Sequence, residues 1–368
     1  MKRDEILAWL LEENPDRLET LWSLADGVRR SHAGDSVHIR GLIEFSNYCR
    51  SNCHYCGMRS GRRSLARYRM TQDEILDSAR EAMARGYGTV VMQSGEDPHL
   101  DVDGLAGVIE RIKRETPLAV TLSLGERAPQ ELARLREAGA DRYYLRFETS
   151  DRHLWKQIHP SGKNAVSHRL DLLPLIKKLG YETGSGIIVG IPGQTWKSLV
   201  DDIEWFRRLD LDMIGCGPFV PHPETPSGRE YDDRVLSHPS PTQVLNTNLV
   251  TCKVMALTRL VCPDVNIPST TALATLDQED GYRLGLQRGA NVLMVNLTPL
   301  KYRRLYEIYP EKAGIGELPQ PQRERVDSLL AGLGRTAGEG TGASRNFEAR
   351  RPAIASLQRG DLCQHCRK

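Results

Sequence analysis

After the first 35 residues, hydrophobic and polar positions follow one repeated pattern. A short apolar run rich in β-forming residues is followed by a turn and then by a stretch with helical spacing. Eight such runs occur, at 37–46, 89–94, 118–124, 142–148, 186–190, 213–220, 266–272 and 291–296. Helical stretches lie near 72–86, 102–116, 129–139, 165–180, 197–210, 242–261 and 278–289. Strands that alternate with helices predict a parallel sheet in the α/β class.

The number of strands favours a closed (βα)8 barrel of the TIM type over an open sheet. Chemistry in such barrels takes place where the strands end, at their C-terminal face. Polar residues of this chain follow that rule, because several lie at or just past predicted strand ends: Cys49, Ser94, Glu96, Ser123, Glu126, Glu148 and Thr270.

The two ends of the chain differ from this repeat. The N-terminus, MKRDEILAWLLEENPDRLETLW, predicts a charged amphipathic helix and not a signal peptide. After about residue 312, Gly, Pro and small residues predict a short helix and a loosely held tail. The predicted division is a helical segment at 1–36, a barrel at 37–312 and a C-terminal extension with a flexible tail at 313–368.

Composition and charge exclude some classes of function. The 368 residues are 39% hydrophobic, and 50 basic and 48 acidic residues give a formal net charge of +2. This balance gives no indication of nucleic acid or an anionic membrane as partner, and no apolar run is long enough to span a membrane. We expect a cytoplasmic protein, in which thiols stay reduced and clustered cysteines more often bind metal than each other.

Three of the eight cysteines, Cys49, Cys53 and Cys56, lie within eight positions after the first strand. A structural zinc site needs four ligands, and His54, the one nearby candidate, is poorly placed between the cysteines. Three thiolates instead suit three irons of a 4Fe–4S cluster and leave the fourth iron open. An open iron can chelate the amine and carboxylate of S-adenosylmethionine (SAM), whose C–S bond then breaks on one-electron reduction to give a 5′-deoxyadenosyl radical.

The Cys-x3-Cys-x2-Cys spacing, with Tyr55 before the last cysteine, resembles the radical-SAM superfamily. The resemblance implies a 4Fe–4S cluster on the three cysteines and SAM as cofactors. It implies that the QSGEDP segment meets the SAM amino group, that Glu148 accepts from the ribose hydroxyls, and that the backbone of GIIVGIPGQT meets the adenine. The implied SAM contacts are Tyr55, Gln93, Ser94, Gly95, Glu96, Ser123, Glu148, Arg169 and Gly190. A plain turn remains the alternative interpretation of each glycine-containing segment.

Many segments in the same order, among them VHIRGLIEFSNYCRSNCHYCGMR and GANVLMVNLTPLKYRRLYEIYPEK, resemble the HydE-type maturases of FeFe-hydrogenase. The resemblance runs from about residue 35 to 312 and implies assembly of the diiron subsite of the hydrogenase active site. Its implied substrate is a small organometallic molecule, an iron complex with cysteine, CO and cyanide. Implied partners are the sister hydrogenase maturases and an electron donor such as ferredoxin or flavodoxin.

The resemblance also implies which residues contact the substrate. Arg146 and Glu148 are two apart in one strand and are expected to face the same side, and a guanidinium suits a carboxylate ligand. The implied substrate contacts are Thr121, Arg146, Arg169, Thr270, Thr271, Met294 and Tyr306, and the implied catalytic residues are Arg146, Glu148, Arg169 and Tyr306. A solvated arginine, a turn threonine or a core methionine is the alternative in each case.

The chain departs from the family pattern at two places. Where many members carry three further cysteines for a second cluster, this chain reads EKAGIGELPQPQRER, which predicts no second cluster there. The pair Cys363 and Cys366 near the C-terminus predicts half a metal site, a redox pair or nothing.

Two other functions stay open from the sequence. One is another small-molecule radical-SAM reaction, such as that of a methylornithine-synthase-like mutase. The second is a scaffold that carries iron fragments without radical turnover. Reductive cleavage of SAM by the protein would exclude this scaffold function.

Overall fold

Seven parallel strands form one sheet at the centre of the molecule. The computed structural model describes residues 1–160, 169–237 and 240–352, without the side chains of 232–234. The strands are β1 Ser36–Ser46, β2 Thr89–Ser94, β3 Ala119–Ser123, β4 Arg142–Tyr144, β5 Glu182–Val189, β6 Met213–Pro218 and β7 Val292–Asn296. Their order across the sheet is β6-β5-β4-β3-β2-β1-β7, and a two-residue strand, β8 Thr336–Ala337, pairs with β1.

Helices follow most strands, as the repeat predicts. They are α1 Arg3–Leu11, α2 Pro15–Ala33, α3 Gln72–Ala84, α4 Val102–Glu115, α5 Pro129–Glu137, α6 Arg152–Ile158, α7 Arg169–Lys178, α8 Trp196–Arg208, α9 Pro226–Glu230, α10 Asn248–Val261, α11 Thr271–Leu276, α12 Gly281–Gln287, α13 Leu300–Arg303 and α14 Pro319–Gly332. A π-helical turn covers Tyr231–Leu236, and residues 345–352 are helical. No helix within the described ranges is long and apolar enough to cross a membrane.

Side chains alternate between two environments along the strands. In β1, Ile39 and Ile43 belong to the apolar core between sheet and helices, whereas Leu42 and Glu44 line an inner cavity. In β2, Val90 is in the core and Gln93 lines the cavity. This alternation follows from the two-residue period of a strand and decides which side chains can reach the site.

The predicted eighth strand is not a regular strand. Residues 266–268 lie between the two edge strands and contact them through single bridges, from Asn266 to Met213 of β6 and from Pro268 to Val292 of β7. The predicted strand 266–272 is therefore too long, because Thr270 is already the N-cap of α11. The described residues form a seven-stranded, barrel-like α/β sheet whose edges are joined by these bridges.

Local signals set several helix ends correctly. The Thr71 hydroxyl accepts from the Glu74 amide at 3.3 Å, while the Glu74 carboxylate accepts from the Thr71 amide at 2.8 Å. This reciprocal pair is the capping box that starts α3. The expected glycine stops are confirmed at Gly86 and Gly180, with φ of 72° and 86°, in the left-handed region that glycine adopts without strain.

Other boundaries differ from the prediction. The N-terminal segment forms two helices, because the Asn14 side chain caps α2 by accepting from the Asp16 amide at 2.9 Å, and Pro15 begins that helix. The predicted strand 142–148 is shorter and ends at Tyr144; beyond it, Glu148 has a φ of 65°, outside the strand region, and meets β5 only through a single bridge to Ile187. Helix α6 was missed.

The described part of the C-terminal extension, up to residue 352, contacts the sheet. Arg142 Nη2 donates to the Thr341 carbonyl at 2.9 Å, and Arg40 and Asn266 donate to the Gly342 carbonyl at 3.2 and 3.0 Å. These bonds fix the Gly-rich segment against the N-terminal ends of the strands, because a buried guanidinium needs acceptors. The division into three domains stays a prediction, and Cys363 and Cys366 lie outside the described residues.

We expect Gly342→Ala to destabilise the protein more than Gly340→Ala. Both glycines have positive φ, 61° and 67°, so each alanine costs about 1 kcal/mol of backbone strain. A Cβ on Gly342 would lie 2.6 Å from the His38 ring, whereas nothing lies within 4 Å of one on Gly340. We expect this overlap to lower the free energy of unfolding of Gly342→Ala by a further amount of about 1–3 kcal/mol. Urea unfolding of the two variants measures the difference. Equal losses would mean that the segment is not held against the sheet.

Candidate active site

One internal cavity of about 320 Å³ opens at the C-terminal ends of the strands. Most of the residues that the sequence singled out share it, although they come from loops far apart in the chain. Those that line it are Cys49, Cys53, Tyr55, Cys56, Gln93, Ser94, Gly95, Glu96, Ser123, Arg146, Glu148, Arg169, Thr270, Thr271, Met294 and Tyr306. The expectation that polar strand ends converge is therefore confirmed by position, while the role of each residue stays a prediction.

Thr121 and Gly190 do not line this cavity. Thr121 lies one layer deeper on β3, and its hydroxyl is buried without a hydrogen bond within the described residues. Gly190 donates its amide to Gln194 Oε1 at 2.7 Å, and a Cβ there would lie 2.3 Å from the Asn246 amide nitrogen. The glycine is thus required by close backbone packing at this turn.

The cysteine loop is held by side chains that bond its backbone. Arg67 donates to the carbonyls of Asn47 at 2.6 Å, Met58 at 2.8 Å and Arg59 at 2.9 Å. Asn47 in turn donates to the Leu305 carbonyl at 2.8 Å. One guanidinium therefore ties both ends of the loop together and fixes the backbone that carries the thiols.

The three thiols are free and share the mouth of the cavity. Burial raises the pKa of all three, to about 12 for Cys56, so the thiols are neutral until a metal displaces their protons. No three His, Cys, Asp or Glu side chains of the described segments stand in a ready-made metal site. The donor set nevertheless fits a 4Fe–4S cluster, and Gly95 leaves room beside it, since a Cβ there would lie 2.8 Å from that of Cys49.

A single arginine joins the ends of three strands. Arg169 donates to Glu126 Oε1 at 3.1 Å and to Glu96 Oε1 at 3.2 Å, and its Nη1 lies 3.7 Å from Glu148 Oε1. It also donates to the Arg146 carbonyl at 2.9 Å. Arg169 is thus paired with carboxylates of the protein itself, and its expected contact with SAM or substrate stays a prediction.

The carboxylates around Arg169 differ in proton affinity. Burial acts to raise the pKa of Glu96, but the Arg169 charge and a hydrogen bond from Ser51 at 2.6 Å outweigh it and lower that pKa. Burial raises the pKa of Glu126 to about 7, because Arg169 offsets only part of the effect and Glu96 adds repulsion. Glu96 is therefore ionised at neutral pH, while Glu126 exchanges its proton near pH 7.

Glu148 has a strained backbone that other groups hold in place. Its φ is 65°, and its carboxylate accepts from Arg146 Nε at 2.9 Å and from the Tyr55 hydroxyl at 3.4 Å. The Tyr55 hydroxyl also lies 3.0 Å from His159 Nε2. A non-glycine residue in this conformation costs free energy and is typical of functional sites.

Asp202 was missed by sequence reasoning, although it holds the loop after Glu148. Its Oδ1 accepts from the Ser150 amide at 2.5 Å, the Ser150 hydroxyl at 2.6 Å and the Thr149 hydroxyl at 3.4 Å. Gln194 Nε2 lies 3.4 Å from its other oxygen, which links the loops after β4 and β5. Asp202 sits on the amphipathic helix α8, and no local pattern distinguishes it from a surface acid.

Tyr144 was also missed. It lines the cavity from β4, and burial raises its pKa to about 12. Its hydroxyl would lie 2.8 Å from a Cβ on Gly186 and 2.1 Å from one on Gly215. Gly186, expected to approach the adenine, thus makes room for a tyrosine, and the repeated glycines of β5 and β6 were the signal that could have indicated it.

The wall formed by β1 and β7 carries a buried ion pair that the sequence did not reveal. Lys312 Nζ donates to Glu44 Oε1 at 2.6 Å, and Asn296 Nδ2 donates to Glu44 Oε2 at 2.9 Å. Beside them, Gln93 donates to the Tyr306 hydroxyl at 3.1 Å. Glu44 and Lys312 are 268 positions apart, so no local sequence pattern predicts their contact.

The remaining candidates have clear positions. Thr270 caps α11, since its hydroxyl accepts from the Leu273 amide at 3.3 Å, so it has a structural role besides lining the cavity. Met294 lines the cavity from β7. Cys252 and Cys262 are buried outside it, as expected of ordinary core thiols. The expected absence of a second cluster after residue 311 stays a prediction.

Comparison with known proteins decides the family. Residues 43–206 match the model of the Radical SAM superfamily. The chain is 44% identical over 331 residues to the [FeFe] hydrogenase maturase subunit HydE of Thermotoga maritima, and the match covers 90% of each chain. The chain belongs to the HydE family. It is therefore a radical-SAM enzyme that cleaves SAM with a 4Fe–4S cluster, which confirms the family and cofactors inferred from the sequence.

Other relatives of this HydE-family chain are more distant. A 3-methylornithine synthase of Methanosarcina acetivorans is 28% identical over 294 residues, covering 79% of this chain and 78% of that protein. The crystal structure of methylornithine synthase (PylB) has a TM-score of 0.75 at 24% identity over 96% of each chain. That of HydG, a maturase of the [FeFe]-hydrogenase, has a TM-score of 0.74 at 18% identity, covering 91% of this chain and 72% of that one. These two structural likenesses show a shared fold.

We expect alanine at Cys49, Cys53 or Cys56 to abolish cluster binding. Each change removes one of three thiols that line the cavity, and two thiolates leave a second iron without a protein ligand. Iron content and the visible absorption of anaerobically reconstituted protein measure the loss. Cys252→Ala, at a buried thiol outside the cavity, is the matched control and should keep its iron. A full cluster in any of the three variants would contradict the assignment.

We expect Asp202→Asn to change how stability depends on pH. Burial raises the pKa of Asp202 from 3.8 to about 7, so the folded state holds the proton more tightly than the unfolded state. Its contribution to stability is present below about pH 4 and is lost as pH rises to about 7. The free energy of unfolding of the wild type should therefore fall relative to the variant over this window, by about 1.4 kcal/mol for each unit of pKa shift.

Chemical denaturation between pH 4 and 8 measures this difference. Asp171→Asn, at a side chain that is 57% exposed, is the control and should follow the wild type. Parallel curves for wild type and Asp202→Asn would show that the buried carboxyl is not protonated in this range.

Proposed function

We propose that this enzyme is a maturase that helps to build the diiron subsite of [FeFe]-hydrogenase. The observation that carries the proposal is the cavity behind the three free thiols, which is lined by Arg146 and Arg169 in a chain 44% identical to a HydE protein. Its volume of about 320 Å³ suits a small molecule. We propose further that residues 266–268 complete a (βα)8 barrel and that the protein acts in the cytoplasm.

The residues at the mouth would hold the cofactors. Cys49, Cys53 and Cys56 would ligate the cluster. Once an external donor has reduced it, the cluster would supply the one electron that cleaves SAM to methionine and a 5′-deoxyadenosyl radical. Ser94, Gly95 and Glu96 would receive the amino group of SAM, since Glu96 is an ionised acceptor. Other contacts would come from Tyr55, Gln93, Ser123, Glu148 and Arg169, and Gly190 would act through the backbone of its turn.

The charge network decides what these side chains can do. All three guanidinium nitrogens of Arg169 have partners in the protein, which are Glu126, Glu96 and the Arg146 carbonyl, so Arg169 would act by orienting these carboxylates around the ligand. Glu148 is held by Arg146 and Tyr55, and one carboxylate with two oxygens can accept both hydroxyls of a ribose. The chain thereby binds and orients the nucleotide and keeps water from the reacting carbon.

The rest of the cavity would hold the substrate. We propose a small iron complex with cysteine, CO and cyanide, contacted by Arg146, Thr270, Thr271, Met294 and Tyr306, with Arg146 and Tyr306 closest to the chemistry. Thr121 would stabilise the cavity floor from the layer below. The buried pair of Glu44 and Lys312 fixes the backbone carbonyl of Tyr306, 3.3 Å from Lys312 Nζ, and so orients that side chain.

The proposed partners follow from this chemistry. Sister hydrogenase maturases would supply the iron complex and take the product, and ferredoxin or flavodoxin would supply electrons. A methylornithine-synthase-like mutase is the second candidate, favoured by the 28% identical relative. In vitro hydrogenase maturation with and without this protein separates the two, because a mutase would give no active hydrogenase while still cleaving SAM.

We expect Arg146→Ala to lower hydrogenase maturation at least tenfold without loss of iron. Arg146 lines the cavity and donates to Glu148 and to the Ile187 carbonyl, so its removal takes away a partly buried cation and one of the partners of Glu148. Maturation yield, iron content and binding of a small carboxylate are measured together. Arg146→Lys keeps the charge without the planar fork and should recover part of the activity. Full activity of Arg146→Ala would show that the substrate does not use this wall.

A further inference from the structure

The imidazole of His222 packs behind the last cysteine of the cysteine loop. His222 lies in the loop after β6 and is 2% exposed. A Cβ on Gly57, the residue after Cys56, would lie 2.7 Å from Cδ2 and 2.9 Å from Nε2 of this ring. Gly57 therefore leaves the space that the imidazole fills, and the ring is in direct contact with the cysteine loop.

Polar groups hold the ring at both of its nitrogens. The Glu224 amide donates to His222 Nδ1 at 3.1 Å, and Arg62 Nη1 lies 3.1 Å from His222 Nε2. Burial and the Arg62 charge lower the pKa of His222, so at neutral pH the ring is uncharged beside the guanidinium. Arg62 is fixed in turn by Glu224 at 2.8 Å and Glu307 at 2.7 Å. These contacts give the imidazole one defined position.

Three loops meet at this ring. His222 comes from the loop after β6, Arg62 and Gly57 come from the cysteine loop, and Glu307 comes from the segment after α13. The Gly57 amide donates to the Ile308 carbonyl at 2.7 Å, and Ile308 lines the cavity. Because protein interiors are closely packed, a buried ring at this junction fixes the three loops relative to each other.

The turn at Gly57 controls a hydrogen bond to one of the thiols. Burial raises the pKa of Cys56 to about 12, and a hydrogen bond from the Met58 backbone acts against this rise. A backbone group that acts in this direction is an amide that donates to Sγ and stabilises the thiolate. Gly57 lies between the donor residue and the thiol residue, so the position of Gly57 decides whether this bond forms.

We propose that His222 is a positioning residue for the cluster, which it reaches through Gly57 and the hydrogen bond from Met58 to Cys56. The inference rests on the proposed assignment of the cluster to the three cysteines. Hydrogen bonds to the sulfurs are among the features that set the reduction potential of an iron–sulfur cluster. They favour the reduced state, because that state has one more negative charge. Loss of the His222 ring should therefore make the reduction potential more negative.

The test compares substitutions that keep different parts of the ring. His222→Ala removes all of its contacts, His222→Asn keeps an acceptor at the position of Nδ1, and His222→Gln places an amide at the position of Nε2. We expect a more negative midpoint potential in the Ala and Asn variants and a potential close to the wild type in His222→Gln, because only Gln reaches Gly57 and Arg62. A redox titration of the anaerobically reconstituted proteins, monitored by electron paramagnetic resonance, measures the potential.

Release of iron to a chelator is a second measurement, and it needs no SAM. We expect iron loss to be about tenfold faster in His222→Ala than in the wild type, as for other residues that orient metal ligands. His38→Ala is the control for general loss of stability. Its ring packs at the N-terminal end of β1, where a Cβ on Gly338 or Gly342 would lie 2.5 or 2.6 Å from it. This variant should leave the potential and the rate of iron release unchanged.

Two results would overturn the proposal. One is an unchanged potential in His222→Ala. The other is a shift that His222→Asn reverses and His222→Gln does not, because the ring would then only hold its own turn. If His222→Ala does not fold, the Asn and Gln variants carry the same comparison. Full iron content in Cys56→Ala would instead refute the cluster assignment on which the inference rests.

Discussion

The site depends on one buried cation that three carboxylates share. Arg169 joins Glu96 after β2, Glu126 after β3 and Glu148 after β4, at 3.1 to 3.7 Å. A buried guanidinium costs several kcal/mol unless it is fully paired, and each carboxylate is equally costly without it. Because each of these buried charges requires its partners, the ion pairs fix the three loops relative to each other. The cavity mouth therefore has a defined shape before any ligand binds.

Around this centre, backbone groups are held by buried side chains. Arg67 bonds three carbonyls of the cysteine loop, and Asp202 bonds the chain just after Glu148. A loop that carries thiols or a strained carboxylate cannot form regular ladders of its own, so its polar backbone groups need such partners. The result is a rigid rim over an open cavity, which suits an enzyme that must keep a reactive carbon away from water.

Proteins with different reactions share this architecture. A methylornithine synthase and HydG both resemble the fold with TM-scores above 0.7, yet they are 24% and 18% identical to this chain. The common part is the fold. Because one fold can carry different functions, the residues that line the cavity, among them Tyr144, Met294 and the Glu44–Lys312 pair, are where we expect the reaction to be specified.

The sequence alone determined the local chemistry. The cysteine spacing predicted a three-thiol site, alternating apolar runs predicted the parallel sheet, and Thr71 and Gly86 marked both ends of α3. These features depend on residues a few positions apart, which is the range over which caps, turns and metal motifs act.

Only the tertiary structure decided which distant residues meet. It joined Lys312 to Glu44, placed Asp202 behind Glu148 and fixed the Gly-rich segment near Gly342 beneath the sheet. It also removed Thr121 from the cavity wall, although the same two-residue period applies to Thr121 and Ser123. Such contacts follow from burial and strand register. Charges that pair across hundreds of positions produce no periodic pattern in the sequence, so the sequence does not predict them.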